Sequence, residues 1–163
     1  MTGPVEGALK AKSPLRAQVK AGVRAMRRRD RGSIEKPARP MIEDSLDLDS
    51  ATAASRGTAR SWDYLLGARE TGRLVAVEIH PVKAGNVTEI LEKRRASERL
   101  LARELRASER VHAWVWIPSG RSDFGPFERD RLRLDQEGVR LVSRPASAAR
   151  LGLNGVAPRP RRR

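Results

Sequence analysis

Apolar and polar residues alternate with a period of two in three segments of the chain, and this pattern predicts three β-strands. The segments are residues 61–66, 73–80 and 111–118. The sequence GARETG separates the first two, and its glycine at each end indicates a turn, so these strands should form a hairpin. Pro81 follows the second strand and ends it.

The second strand carries a carboxylate on an otherwise apolar face. By alternation, one face presents Leu74, Ala76, Glu78 and His80, and the other presents Val75, Val77 and Ile79. Because a buried unpaired carboxylate is costly, Glu78 requires a partner. That partner is a metal ion, an arginine such as Arg94, or water.

Spacings of three and four residues predict helices in other parts of the chain. A first helix should begin at Ser13-Pro14 and end near Gly32, with Leu15, Val19, Val23 and Met26 as its apolar stripe. The longest helix should cover residues 87–107, after a start at Asn86 and Glu89 that is similar to a capping box. A short helix over residues 127–136 and a last strand over residues 139–143 should complete the ordered chain.

Two short features allow more than one interpretation. Residues 45–50, SLDLDS, alternate leucines with acids, so a short strand is possible there. It lies in the acidic cluster of Glu43, Asp44, Asp47 and Asp49. Trp114 and Trp116 share one face of the third strand with His112. Such a pair can stack bases, although it more often packs in a core under a helix.

The order of these elements predicts an α/β fold: a small mixed sheet of about four to five strands flanked by helices. We expect a basic N-terminal arm and helix in residues 1–40, with residues 1–12 loose. An α/β core in residues 41–143 and a disordered arginine-rich tail in residues 144–163 should follow. The chain has no cysteine, no long apolar run and no secretory signal, which favours a cytoplasmic protein.

The positive charge lies in the two ends of the chain. The net charge is +14, with 11 Lys/Arg against 3 Asp/Glu in residues 1–40 and 6 Arg without an acid in residues 144–163. The core is therefore neutral. Clustered basic ends favour a polyanion such as DNA or RNA, although solvated tails alone also explain them. The candidate nucleic-acid contacts are Arg24, Arg27, Arg28, Arg29, Arg161, Arg162 and Arg163.

Two acids of the hairpin are candidates for a metal site. If the turn pairs Leu66 with Arg73, Asp63 lies opposite Ala76, one diagonal step from Glu78. Diagonal neighbours across a strand pair are about 7–8 Å apart, close enough for two carboxylates to hold one ion. Hard cations such as Mg²⁺ bind to sparse carboxylate sets that water and phosphate complete.

The sequence Asp63…Glu78-Ile79-His80, with its hairpin and the helix that follows, resembles the PD-(D/E)XK nuclease superfamily. The resemblance spans about residues 14–118 and implies a restriction-endonuclease-like core of helix, three strands, helix and strand. It also implies Mg²⁺-dependent cleavage of DNA or RNA, with Asp63 and Glu78 as metal ligands. An acid of the 43–49 cluster would add a further ligand.

The motif differs at two positions, since Trp62 replaces a proline and His80 replaces the lysine that orients the attacking water. The resemblance then implies that His80, or a migrated lysine such as Lys83 or Lys93, takes that role.

Sequence therefore predicts a metal-dependent nuclease without a small organic cofactor. Its catalytic residues would be Asp63, Glu78, His80 and Lys93. Two alternatives stay open: a non-catalytic nucleic-acid-binding protein on the same scaffold, and a protein-interaction module such as an immunity or adaptor protein. Sequence does not choose between DNA and RNA or give an oligomeric state.

Overall fold

The computed structural model describes residues 2–83, 85–120 and 128–154. Six strands form one mixed sheet: β1 (Lys20–Ala21), β2 (Ile42–Asp47), β3 (Tyr64–Ala68), β4 (Leu74–His80), β5 (Val111–Pro118) and β6 (Val139–Leu141). The helices are α1 (Pro4–Ala8), α2 (Arg28–Arg31), α3 (Leu48–Thr52), α4 (Asn86–Glu104), α5 (Glu128–Gln136) and α6 (Ala148–Leu151). Short 3₁₀ turns occupy Pro14–Gln18 and Lys36–Met41.

The strands of the sheet are arranged in the order in which they occur along the chain. Strands β1 to β4 are antiparallel neighbours, whereas β4, β5 and β6 run parallel. Helix α4 makes the crossover that a parallel β4–β5 pair requires. The predicted α/β class is confirmed, with one strand more than the upper expectation.

Alternation along β4 divides the core into two layers. Leu74 and Ala76 pack toward α4 in a layer that also contains Trp114 and Trp116. Val75 and Val77 pack into a second layer, which residues from the 23–41 and 142–153 segments complete. Trp114 and Trp116 are therefore core residues, which is the more common of the two roles considered for them from sequence.

The prediction of one long N-terminal helix between Ser13 and Gly32 is wrong. This segment instead forms a 3₁₀ turn, the short strand β1 and the four-residue helix α2. Leu15 and Met26 are nevertheless buried, since an irregular path brings both to the sheet. The expectation that the first residues are loose is wrong for residues 2–12, because α1 buries Val5 and the chain after it buries Leu9.

The C-terminal segment is only partly the expected tail. Residues 144–154 contain α6, and they bury Ala146, Leu151 and Leu153 against the second core layer. Burial of these apolar side chains orders a segment whose sequence reads as polar and arginine-rich. Residues 155–163, and with them Arg161, Arg162 and Arg163, lie outside the described residues.

Among the described helices, none combines the length and the apolar character that crossing a bilayer demands. The longest, α4, carries charged residues throughout.

Candidate functional site

The β3–β4 hairpin places Asp63 directly beside Glu78. Tyr64 pairs with Val77 and Leu65 with Ala76, so Asp63, the residue before β3, stands opposite Glu78. The expected register, with Asp63 opposite Ala76, is wrong by two residues. The reason is the turn: β3 continues to Ala68, whose N–H donates to the carbonyl of Arg73 at 2.9 Å.

Two reciprocal hydrogen bonds join the pair. The backbone N–H of Asp63 donates to Oε2 of Glu78 at 3.0 Å, and the N–H of Ile79 donates to Oδ2 of Asp63 at 2.9 Å. Each carboxylate thus accepts from the backbone of the strand that carries the other. This exchange fixes both side chains at the same end of the hairpin.

The third group is Lys93 of α4. Its Nζ lies 2.7 Å from Oε1 of Glu78, and the two side chains are 13% and 1% exposed. The cationic partner of Glu78 is therefore the ammonium of Lys93, and Arg94, which was named as a candidate, is not that partner. The guanidinium of Arg94 instead lies over the ring of Trp114 at 4.9 Å and pairs with Glu98.

Burial and mutual proximity make the carboxylates reluctant to ionise together. Burial raises the pKa of Glu78 to about 8, the charge of Asp63 raises it as well, and Lys93 opposes both. Burial likewise raises the pKa of Asp63 to about 6, against the N–H of Ile79 and the charge of Lys93. A cation beside the two carboxylates would favour the ionised form of both.

A more open group of side chains adjoins the pair. His80 is 27% exposed, and its Nε2 lies 3.9 Å from Oε2 of Glu89 on α4. Glu89 also pairs with Arg60. Burial and the nearby Lys93 lower the pKa of His80, so its ring is neutral around pH 7. Sequence reasoning missed Glu89 in this role, although its position four residues before Lys93 places both on one helix face.

The acids of the 43–49 cluster serve other structures, so none joins the pair. Asp44 is buried and accepts the N–H groups of Val5 and Glu6, each at 3.0 Å. Asp47 caps α3 through the N–H of Ser50 at 2.9 Å. The remaining two form surface ion pairs, Glu43 with Arg69 and Asp49 with Arg56.

The N-terminal arginines lie at the end of the sheet that carries Asp63 and Glu78. Arg24, Arg27, Arg28 and Arg29 are all exposed. The backbone N–H of Arg27 donates to the hydroxyl of Tyr64 at 3.1 Å, and that hydroxyl donates to Oδ2 of Asp30 at 2.5 Å. Tyr64 directly follows Asp63. Sequence reasoning gave no role to Tyr64 or Asp30, because no local spacing connects them.

Asp63 and Glu78 supply hard oxygen donors in the pair that Mg²⁺ prefers. Within residues 2–83, 85–120 and 128–154, no group of three or more His, Cys, Asp or Glu side chains is arranged to hold a metal. Any ion here would therefore take two protein carboxylates and complete its shell with water and substrate. Comparisons with protein-family models, curated proteins and solved structures found no match to this chain.

Proposed function

We propose that this protein is a Mg²⁺-dependent nuclease of the PD-(D/E)XK type. One observation carries the proposal: Asp63 and Glu78 converge across a hairpin, and the Lys93 ammonium lies 2.7 Å from Glu78. Two carboxylates on adjacent strands and one amine, here from helix α4, form the set that the superfamily uses on a phosphodiester.

The order of elements supports the proposal. Three antiparallel strands, a long helix and a parallel strand occur as β2–β3–β4, α4 and β5. The resemblance implied this part of the order, whereas the long first helix that it implied after residue 14 is not formed. In this arrangement Lys93 comes from the crossover helix and approaches the sheet from the same side as Glu78.

The residues have separate roles in the proposed mechanism. Asp63 and Glu78 would hold Mg²⁺, which would lower the pKa of a bound water and stabilise charge on the phosphate. Lys93 orients the attacking water and offsets the charge of Glu78. His80, neutral at pH 7, accepts the proton that the water loses, and Glu89 stabilises the resulting imidazolium.

The nucleic-acid substrate is also part of the proposal. The +14 net charge and the exposed arginines of residues 24–29 favour a polyanion whose backbone, not its bases, is contacted. A chain without cysteine suits a reducing compartment, so we place this activity in the cytoplasm.

The test is cleavage of labelled single- and double-stranded DNA and RNA with Mg²⁺ or Mn²⁺, with EDTA as the blank. We expect Glu78→Gln and Asp63→Asn each to lower kcat by at least about 100-fold, because each removes a metal ligand and its charge. The matched control is Glu98→Gln, which changes an exposed glutamate on helix α4. Equal cleavage by wild type and Glu78→Gln, or none by either, would contradict the proposal.

A second candidate is a non-catalytic nucleic-acid-binding protein on this scaffold. The observation that favours it is the closure of Glu78, whose two oxygens already accept from Asp63 and Lys93. This candidate requires salt-sensitive binding that survives both Asp63→Asn and Glu78→Gln, without any metal-dependent cleavage.

A further inference from the structure

Residues 24–31, here called the arginine turn, have a fixed base and a cationic surface. Ala25 and Met26 are buried, whereas Arg24, Arg27, Arg28 and Arg29 are exposed. The N–H of Ala25 donates to the Ser45 hydroxyl at 3.1 Å. Four exposed guanidinium groups therefore project from a short segment whose backbone is bound to the sheet.

The side chain of Arg31 stiffens the turn from within. Its Nε donates to the carbonyl of Met26 at 3.1 Å, and its Nη2 donates to the carbonyl of Arg24 at 3.3 Å. These bonds close the backbone around one guanidinium. Arg31 is thus used structurally. Among its exposed neighbours, Arg27 lies 4.0 Å from a carboxylate oxygen of Asp47 and Arg29 lies 3.7 Å from one of Asp30, so a phosphate would compete with these two carboxylates.

Tyr64 connects the turn to the hairpin of the carboxylate pair. Its hydroxyl receives the N–H of Arg27 and donates to Asp30, so it bonds the two ends of the Arg27–Asp30 stretch. Successive side chains along an extended chain point to opposite faces of the sheet. The side chains of Asp63 and Tyr64, at the start of β3, therefore lie on opposite faces.

We propose that the arginine turn is the backbone-phosphate site of this protein and that Tyr64 and Asp30 are positioning residues that fix it relative to Asp63. The occupant is the phosphate backbone of a nucleic-acid strand. Lys93 lies on one face of the sheet at the start of β3, and the arginine turn lies on the other face. A nucleic-acid strand held by the turn would pass this end of the sheet, beside the carboxylates. The inference rests on the proposed function for the identity of the ligand, and the binding part stands without cleavage.

The charge requirement is tested by fluorescence anisotropy with a labelled 20-base-pair duplex and a labelled single strand, in EDTA, over a range of KCl concentrations. For Arg28→Ala/Arg29→Ala, we expect the slope of log Kd against log salt to fall by about two for the duplex, one for each lost contact. The control is Arg95→Ala/Arg106→Ala, which removes two exposed arginines of other segments. An unchanged slope in the first double variant would overturn the site.

The positioning role is tested by variants that separate hydrogen bonding from charge. Asp30→Asn and Asp30→Ala remove the same negative charge, but only asparagine keeps an acceptor for the Tyr64 hydroxyl. If only the lost negative charge mattered, both variants would bind the nucleic acid more tightly, and by the same factor. We expect Asp30→Ala to bind about three- to tenfold more weakly than Asp30→Asn, because an unfixed turn must be ordered on binding.

Tyr64→Phe provides the uncharged counterpart. We expect it to weaken binding by about three- to tenfold with the salt slope unchanged, and in cleavage assays to raise KM while kcat stays the same. Ile117→Val, a buried change in β5, controls for a loss of stability alone. Wild-type affinity and KM in Tyr64→Phe would overturn the positioning role even if cleavage is observed. If binding depends on Arg28, Arg29 and Tyr64 but no cleavage is observed, only the proposed nuclease activity is contradicted and the phosphate site stands.

Discussion

The Glu78 carboxylate is enclosed almost completely by protein. Removing a carboxylate and an ammonium from water costs several kcal/mol for each ion, and their attraction offsets this cost only when the geometry is good. Here the 2.7 Å contact with Lys93 and the N–H of Asp63 provide that geometry. Breaking the pair should therefore cost more stability than the pair itself contributes.

Lys93→Met should destabilise the fold by about 1–3 kcal/mol, because it leaves the Glu78 carboxyl group buried without the partner of its Oε1 and obliges it to take up a proton. Urea denaturation at pH 8 measures this change. Arg95→Met, which breaks an exposed ion pair on the same helix, should cost less than about 1 kcal/mol. Adding Glu78→Gln to Lys93→Met should recover most of the loss. A double variant as unstable as Lys93→Met would show that the charge of Glu78 is not the cause.

Stability in EDTA should decrease as the pH rises from about 5 to 8. In this range folded Glu78, with its pKa near 8, and folded Asp63, near 6, hold protons that the unfolded chain releases near 4 to 4.5. The folded state binds more protons, so raising the pH favours unfolding. Urea midpoints of wild type and Glu78→Gln across this range measure the effect. Parallel curves would contradict it, since only wild type should show the full slope.

Mg²⁺ or Mn²⁺ should stabilise the folded protein, and more strongly at pH 8 than at pH 6, because the ion competes with protons for the two carboxylates. Thermal melting with and without the ion measures the shift in Tm. Asp63→Asn and Glu78→Gln should each abolish it. A shift of equal size in Glu78→Gln would locate the ion elsewhere.

The identities of the paired residues could be predicted from sequence, but their geometry could not. Glu78 was identified because it interrupts an apolar strand face, whereas Lys93 was one of two lysines that the resemblance offered in place of the motif lysine. The register could not be obtained, because it depends on where the turn begins, and a shift of two residues preserves the faces of both strands. Tyr64 and Asp30 meet only through the tertiary fold.

Among the secondary-structure elements, the short helix α1 depends on one buried acid. The Asp44 carboxylate accepts the N–H groups of Val5 and Glu6 from its place on β2. Two glycines leave room for it: an ideal Cβ on Gly67 would lie 2.2 Å from Oδ1 of Asp44, and one on Gly3 would lie 2.5 Å from its Cγ. The helix, the acid and the glycines form one packed unit.

Gly67→Ala should therefore destabilise the protein by about 1–3 kcal/mol, since the methyl group meets the Asp44 carboxylate in a close-packed region. Gly7→Ala is the matched control, because a Cβ at Gly7 meets nothing within 4 Å and alanine favours a helix. Chemical denaturation of the three proteins provides the comparison. Equal stability of the two alanine variants would exclude the proposed steric contact.

The failed helix prediction for residues 14–32 has a physical explanation at this scale. The apolar residues at positions 15, 19, 23 and 26 follow helical spacing, yet β1 pairs with β2 and Gly22 takes a positive φ of 55°. Tertiary pairing thus overrides a local pattern that predicts a helix. The predictions of β4, β5 and α4 succeeded because their periodicity and their burial agree. The strand predicted over residues 61–66 is found as β3, three residues further along at its start.

For the whole molecule, both ends of the described chain belong to one fold. The N-terminal segment packs through Val5 and Leu9 in one core layer, and the C-terminal segment packs through Leu151 and Leu153 in the other. The charge asymmetry found in the sequence is therefore carried in part by ordered segments. Composition did not predict this, because a few apolar residues among many arginines are enough to dock a short segment.

Leu151→Ala should lower the free energy of unfolding by about 2–5 kcal/mol, as expected for a fully buried leucine. Leu132→Ala, which changes a leucine that is 48% exposed on α5, should have an effect within about 0.5 kcal/mol. Thermal unfolding should show one transition for both variants. A separate early transition in Leu151→Ala would mean that the C-terminal segment unfolds on its own.

Because the strands are arranged in chain order, the sheet can assemble from one edge as the polypeptide emerges from the ribosome. The β3–β4 hairpin has a short turn, and residues 48–63 connect β2 to β3, so all three strands can pair before α4 has been synthesised. The β4–β5 contact must wait for the crossover helix, which makes it the step with the largest loop-closure cost. Asp63 and Glu78 would then come together early, and Lys93 would complete the site when α4 docks.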